Sequence, residues 1–307
     1  MSVKGIKKIA IVGTGAIGGY YGCKLAKAGV DVHFLARSDY QYIQSHGLKV
    51  ASAKGQDISV DPVNVYNDSK DMPQCDLILI TLKTTSNDQL NELLKPLLHE
   101  KSLLCSLQNG YGLEHYLSQV FPQASIIGGL CFICSQKVKP GIIDHQDFGS
   151  IRLADYNAGA ERLSDVAELF TQAEVPTQTS DSLTKARWEK LVWNVPFNGL
   201  SVVLNAKTDA MLNKDSTRAL IKEIMLEVIQ VARVHAADID NDFADKLIEL
   251  TDGMAAYYPS MKVDYDLKRP MELKDIYQAT LNAAYEKGIA MPKTEMLLEL
   301  LTFMDHS

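Results

Sequence analysis

Hydrophobic and polar positions follow two different rhythms along this chain. Over the first 180 or so residues, short apolar runs alternate with amphipathic stretches. Lys7–Val12 reads as a first strand, residues 17–28 as a helix closed by Gly29, and Val30–Leu35 as a second strand. A polar hairpin follows, with strands over residues 48–51 and Ile58–Val60 flanking Lys54-Gly55. Residues 76–82 (DLILITL) form a nearly continuous apolar run, as expected of a strand buried on both faces of a parallel sheet. Residues 86–98 read as a helix, 102–107 and 125–134 as further strands, with two shorter strands near Ile142 and Ile151 and a helix over 160–173. Strands alternating with helices predict a doubly wound α/β fold of Rossmann type.

After Ser180-Asp181, a capping pair, the period changes from two to about 3.6. Helices are expected over residues 183–204, 215–236, 241–256, 274–287 and 293–304, with a loop between Tyr257 and Met271. Leu220, Ile221, Ile224, Met225, Val228, Ile229 and Ala232 recur at spacings of three and four, a core-facing stripe. Two domains are therefore predicted: residues 1–180, a doubly wound α/β domain, and residues 181–307, an all-helical domain.

The turn after the first strand gives residues 1–180 a chemistry. Gly13-Thr14-Gly15-Ala16-Ile17-Gly18 spells G-x-G-x-x-G between a strand and a helix. In that setting the first glycine makes a tight turn and the second lets the backbone approach a pyrophosphate. The third lets helix and strand pack closely, and the unpaired N–H groups of the helix face the anion. At the tip of the second strand, where a carboxylate would hold the 2′-hydroxyl of NAD, stand Arg37 and Ser38, which suit the 2′-phosphate of NADP.

Bulk properties narrow the function classes. A net charge of -7 argues against nucleic acid and gives no attraction to an anionic membrane. The longest apolar stretch, residues 126–134, is far shorter than a bilayer span. Lys4, Lys7 and Lys8 precede an apolar run as in a secretory signal, but the glycine turn inside that run fits a first βα unit, and the chain reads as cytoplasmic. Five scattered cysteines suggest reduced, buried thiols. Cys131-Phe-Ile-Cys134 lies in a strand with no second pair at metal spacing, so no metal is expected.

The helix from Leu183 carries the densest chemistry. At about 100° per residue, Lys190, Asn194, Asn198 and Ser201 fall within about 80° of one another. Two asparagines in mid-helix are poor helix formers, better explained if they bond a ligand or a facing polar group; the alternative is a solvated face, with Asn198-Gly199 ending the helix. Pro196 between them removes the hydrogen bond to the Val192 carbonyl and should kink the helix. Lys83, after the strand 76–82, and Asn109, after the strand 102–107, lie at carboxyl ends of parallel strands, where ligands sit in such sheets. A solvated lysine and a simple turn are the alternatives there. For Glu272 the alternative is a carboxylate stabilised by a helix dipole.

Taken together, these motifs resemble the ketopantoate reductase (2-dehydropantoate 2-reductase) family, over nearly the whole chain. The resemblance rests on Gly13, Gly15 and Gly18, Arg37, Lys83, Gln108-Asn109-Gly110, the Trp188/Lys190/Asn194/Asn198 helix, Ser260 twelve residues before Glu272, and Gly288/Pro292. It implies NADPH-dependent reduction of a 2-oxo acid, ketopantoate to pantoate, in pantothenate biosynthesis. Lys190 would be the general acid, and Glu272 would fix it and contact cofactor and substrate. Asn194, Asn198 and Ser260 would bind substrate. Gly13 to Gly18, Arg37, Lys83 and Asn109 would hold NADP. Three positions depart from the family pattern: Pro196, Lys274 in place of an acidic residue, and Gln278 in place of a glycine, beside Tyr277. They leave open a relative acting on another branched or aromatic 2-oxo acid. An NADP-binding sensor is less compatible with Lys190 and Glu272 together, and a homodimer is left open.

Overall fold

A computed structural model describes residues 5–305; residues 1–4, with Lys4 among them, and 306–307 lie outside the description. The chain forms two compact units. The first runs to Gln108 and resumes over Leu113–Leu183; the second comprises Asn109–Gly112 and the chain from Thr184 on.

The first unit is the expected α/β element. Its strands are β1 (Lys8–Val12), β2 (Asp31–Leu35), β3 (Leu48–Ser52), β4 (Ile58–Val60), β5 (Asn64–Tyr66), β6 (Leu77–Ile80), β7 (Leu103–Ser106), β8 (Ser125–Lys139), β9 (Ile142–Asp155) and β10 (Thr177–Ser180). Among them run α1 (Ala16–Lys27), α2 (Tyr40–His46), α3 (Leu90–Leu94), α4 (Leu113–Val120) and α5 (Ala160–Gln172). The order β5-β2-β1-β6-β7-β8 is parallel throughout. The chain leaves β1 toward β2 and β5, then returns to β6 on the other side of β1, which makes the β1/β6 junction the topological switch point of a Rossmann sheet. Side chains alternate as period-two strands require. Ile9, Ile11, Leu77, Leu79 and Leu103 enter one apolar core, and Ala10, Val12, Ile78, Ile80 and Leu104 enter a second on the opposite face.

Beyond β8 the structure departs from the sequence expectation. The two short strands near Ile142 and Ile151 are one strand, β9, antiparallel to β8. The polar stretch His145-Gln146-Asp147 masks it, and the register shifts near Phe148 (φ 60°) and Gly149 (φ 117°). The expected helix over 86–98 is three pieces, α3 between 3₁₀ turns at Thr84–Gln89 and Lys95–Leu97, the second holding Pro96. The hairpin β3/β4 is present and joins the sheet through β9.

The second unit is helical: α6 (Leu183–Val203), α7 (Thr208–Leu212), α8 (Asp215–Val234), α9 (Asp242–Asp252), α10 (Ser260–Asp266), α11 (Ala279–Tyr285) and α12 (Pro292–Met304). The expected loop between Tyr257 and Met271 contains α10, and α11 is preceded by a π-helical turn over Lys274–Gln278. The helix stays continuous through Pro196. Ile221, Ile224, Met225, Val228 and Ile229 of α8 are buried in the core of this unit, together with Trp188, Leu191 and Val195 of α6.

Candidate active site

In the first unit, β1 ends at Val12 and the chain turns at Gly13 (φ 109°) before α1 begins. The three fingerprint glycines separate by what a side chain would meet. A Cβ on Gly13 would lie 2.7 Å from the Leu82 backbone nitrogen, and one on Gly18 would lie 2.2 Å from the Gly13 carbonyl and 2.5 Å from Thr81 Oγ1. A Cβ on Gly15 meets nothing within 4 Å. The protein's own packing therefore demands the first and third glycines but not the second, which faces open space at the start of α1. That is the cradle a dinucleotide pyrophosphate needs. Thr14 is buried and ties this turn to β2, its hydroxyl donating to the Leu35 carbonyl at 3.0 Å. Ala16 and Ile17 open the helix, half-buried.

Because β2 and β6 flank β1, Arg37 and Lys83 stand at the same carboxyl edge as the glycine turn. Both are exposed. The Arg37 guanidinium donates to Gln89 Oε1, in the 3₁₀ turn that Lys83 precedes. Ser38 donates to Asp39 (2.9 Å), and Lys137 Nζ (2.8 Å) and the Gly141 N–H (3.3 Å) reach the same carboxylate. Burial pushes the Asp39 carboxyl up, but these donors outweigh it and hold it below the usual range. The only acid beside Arg37 and Ser38 in the Arg37–Tyr40 segment is thus engaged by Lys137. Gln108 is anchored to the loop after β6, donating to the Leu82 carbonyl (3.0 Å) and Asn87 Oδ1 (2.7 Å).

In the second unit, α6 carries Lys190, half-buried, and then Asn194, Asn198 and Ser201, all buried. Ser201 donates to the Asn198 carbonyl at 2.8 Å. The amide nitrogens of Asn194 and Asn198 are buried with no hydrogen-bond partner among the described residues. A buried donor left this way costs about 1–3 kcal/mol, so two of them on one helix face call for an explanation beyond the fold. Glu272 is only 4% exposed, just ahead of the π-helical turn. Ser260 is exposed, the first residue of α10. Half-buried Asn109 precedes Gly110 (φ 117°), whose missing Cβ would lie 2.6 Å from the Asp275 carbonyl; the same carbonyl accepts the Tyr111 N–H at 3.0 Å. Asn109–Gly112 is thereby strapped to the segment that follows Glu272.

Residues 9–158 match the family model described as "Ketopantoate reductase PanE/ApbA", and residues 182–305 match its C-terminal counterpart. The chain belongs to the ketopantoate reductase family. It is 43% identical over 305 residues to the 2-dehydropantoate 2-reductase of Nostoc sp., covering 97% of this chain and 95% of the relative. The crystal structure of 2-dehydropantoate 2-reductase from Geobacter metallireducens superposes with a TM-score of 0.92 at 41% identity, over 96% of this chain and 99% of the other. The enzyme of that name from Methylococcus capsulatus superposes with a TM-score of 0.88 at 30% identity, over 97% and 96%. The protein is thus an oxidoreductase of the 2-dehydropantoate 2-reductase type, in a family of nicotinamide-dependent reductases.

Two supporting residues escaped the sequence reading. Thr81 donates to the Gly13 carbonyl (2.7 Å) and also approaches the Val12 carbonyl (3.1 Å), bracing the glycine turn. Lys262, two residues after Ser260, is 2% exposed, pairs with Asp266, and lies 5.1 Å above the Tyr258 ring. Neither carries a motif; both are visible only once the elements are assembled. The thiols are free, and burial pushes Cys23 and Cys75 up to about 12 and Cys134 to about 11. Among the described residues no cluster of His, Cys, Asp or Glu could hold a metal ion, and no helix is long and apolar enough to cross a membrane.

Proposed function

We propose that this protein reduces 2-dehydropantoate to pantoate with NADPH, and that Lys190 is the general acid. The observation that carries the reading is the pair of buried, unpartnered amide donors, Asn194 and Asn198, on the helix face headed by Lys190. 2-Dehydropantoate offers the carbonyl, carboxylate and hydroxyl oxygens that such donors lack. Gly13 to Gly18, with Thr14, Ala16 and Ile17, hold the pyrophosphate. Arg37 and Lys83 hold the 2′-phosphate, and Asn109 the nicotinamide end.

When bound, the reduced nicotinamide supplies hydride to the C2 carbonyl carbon. The carbonyl oxygen then takes up negative charge, which the Lys190 ammonium stabilises before donating the proton that completes the hydroxyl. Glu272 fixes the lysine and bonds the substrate hydroxyl and the cofactor's reactive end. Asn194 and Asn198 orient hydroxyl and carboxylate, and Ser260 binds the carboxylate. A second reading keeps this chemistry with a bulkier acid. Trp193 stacks on Phe197 (centroids 4.7 Å apart) and on Tyr257 (6.1 Å), an aromatic surface flanking Asn194 that suits a larger apolar group. NADPH oxidation with a panel of 2-oxo acids that includes ketopantoate tests both. Preference for ketopantoate supports the first, preference for an aromatic acid the second, and turnover of none rejects both.

A further inference from the structure

We propose that Tyr277 is a positioning residue for this reductase: its hydroxyl, set against one rung of α6, fixes how Asn194 and Asn198 are presented to the acid. The proposal rests on the reading of those asparagines as acid ligands.

Tyr277 is fully buried in the core of the helical unit. Its hydroxyl donates to the Val195 carbonyl at 2.8 Å and lies against Gly199, whose N–H is the helical partner of that carbonyl. In an undisturbed α-helix those two backbone groups bond to each other. The phenol therefore bonds the acceptor end of one rung, which runs from the residue after Asn194 to the residue after Asn198. One turn earlier, Pro196 has no N–H for the Val192 carbonyl, so a second rung of the same stretch lacks its donor.

Gly199 is what lets the phenol in. A Cβ there would lie 2.5 Å from the Tyr277 oxygen and 2.7 Å from Leu297 Cδ2. Pro196, Gly199 and Tyr277 thus form one arrangement, and it sits at the two amides that the protein leaves without acceptors. Tyr277 is also tied to Glu272, five residues earlier on the same short segment, through the π-helical turn Lys274–Gln278. Such turns widen a helix by one residue and recur at functional sites. A hydrogen bond from Tyr277 to α6 consequently sets the spacing between the helix of Lys190, Asn194 and Asn198 and the segment of Glu272. A purely structural phenol could satisfy its hydroxyl on any buried carbonyl. This one uses the carbonyl of the residue that follows Asn194.

The test is steady-state kinetics with the preferred 2-oxo acid and NADPH titrations on the wild type, Tyr277→Phe, Gly199→Ala, Asn198→Ala and the Tyr277→Phe/Asn198→Ala double variant, with thermal melts throughout. Tyr277→Phe keeps the ring and removes only the hydroxyl. Its kcat/KM for the acid should fall on the order of 10- to 100-fold through a misplaced ligand face, with NADPH affinity unchanged. Gly199→Ala should give the same signature by displacing the hydroxyl. In the Asn198→Ala background, removing the hydroxyl should lower kcat/KM by clearly less than in the wild type, because the part of its effect that acts through Asn198 is already lost. A folded Tyr277→Phe protein within about twofold of wild type, or fully multiplicative effects in the double variant, overturns the proposal. A wild type that reduces no 2-oxo acid overturns the functional reading and this proposal with it, whereas an active wild type with an indifferent Tyr277→Phe overturns this proposal alone.

Discussion

Substituting the second fingerprint glycine separates cofactor binding from folding. In Gly15→Ala the added methyl meets no protein atom within 4 Å, and the residue already has an extended backbone at φ -91°. Two small stability terms oppose each other. A glycine replaced at a compatible backbone position gains about 0.4–1 kcal/mol from the less flexible unfolded chain. Alanine at a helix N-cap loses a comparable amount, roughly 0.5–1 kcal/mol. The melting temperature should therefore stay within about 3 °C of wild type. The same methyl occupies the space in which the backbone approaches the pyrophosphate. An overpacked contact of about 1–3 kcal/mol weakens NADPH on the order of 10- to 100-fold. Gly18→Ala is the contrast, because its methyl would lie 2.2 Å from the Gly13 carbonyl, forcing α1 off β1. It should lose about 1–3 kcal/mol of stability as well as NADPH binding. Calorimetric titration and thermal melts on both variants read the difference. Unchanged NADPH affinity in Gly15→Ala, or a loss of stability as large as that of Gly18→Ala, refutes the assignment of this turn.

Arg37→Ala removes charge-assisted hydrogen bonds to a 2′-phosphate, so NADPH should weaken roughly 10- to 100-fold while NADH changes little; equal weakening of both cofactors contradicts the 2′-phosphate role. Asn198→Leu replaces an amide whose nitrogen is buried without a partner by an apolar group of similar size. Stability should stay within about 1 kcal/mol of wild type while KM for the acid rises at least about tenfold, and a destabilised protein with unchanged KM would mark Asn198 as structural. The thiolate is the reactive form of cysteine, and burial raises Cys23 and Cys75 to about 12 and Cys134 to about 11, so few thiolates exist at pH 8. Alkylation of the native protein at that pH should be slow, with Cys134 reacting before Cys23 and Cys75 and all three fast after unfolding. Rapid native labelling of Cys23 contradicts this.

The sequence made the central strands and the long helices legible because each solves its burial locally. β6 and β7 are apolar on both faces, and α8 repeats its stripe from Ile221 to Ala232. What escaped depends on partners far along the chain. β5 and β10 are short and carry polar residues, and they form strands only because β2 and β9 offer them an edge. β9 reads as two pieces until its register shifts against β8 reconnect them. The candidate site divides in the same way. The glycine turn and the Lys190/Asn194/Asn198 stripe are written in local spacing. The brace from Thr81 and the contact of Tyr277 with α6 join residues 68 and 82 positions apart, and no local pattern announces them. The cost of the two unpartnered amides likewise emerges only when the surrounding core is assembled.

The central claim is that the Lys190 ammonium protonates the oxygen of a 2-oxo acid as hydride reaches its carbonyl carbon. Lys190→Ala, assayed for turnover of the preferred acid alongside its affinity for NADPH, tests this most directly. Loss of a positioned general acid should lower kcat by about 10²- to 10⁴-fold, with NADPH affinity and melting temperature essentially unchanged. A folded Lys190→Ala protein that binds NADPH and turns over at the wild-type rate would contradict the account.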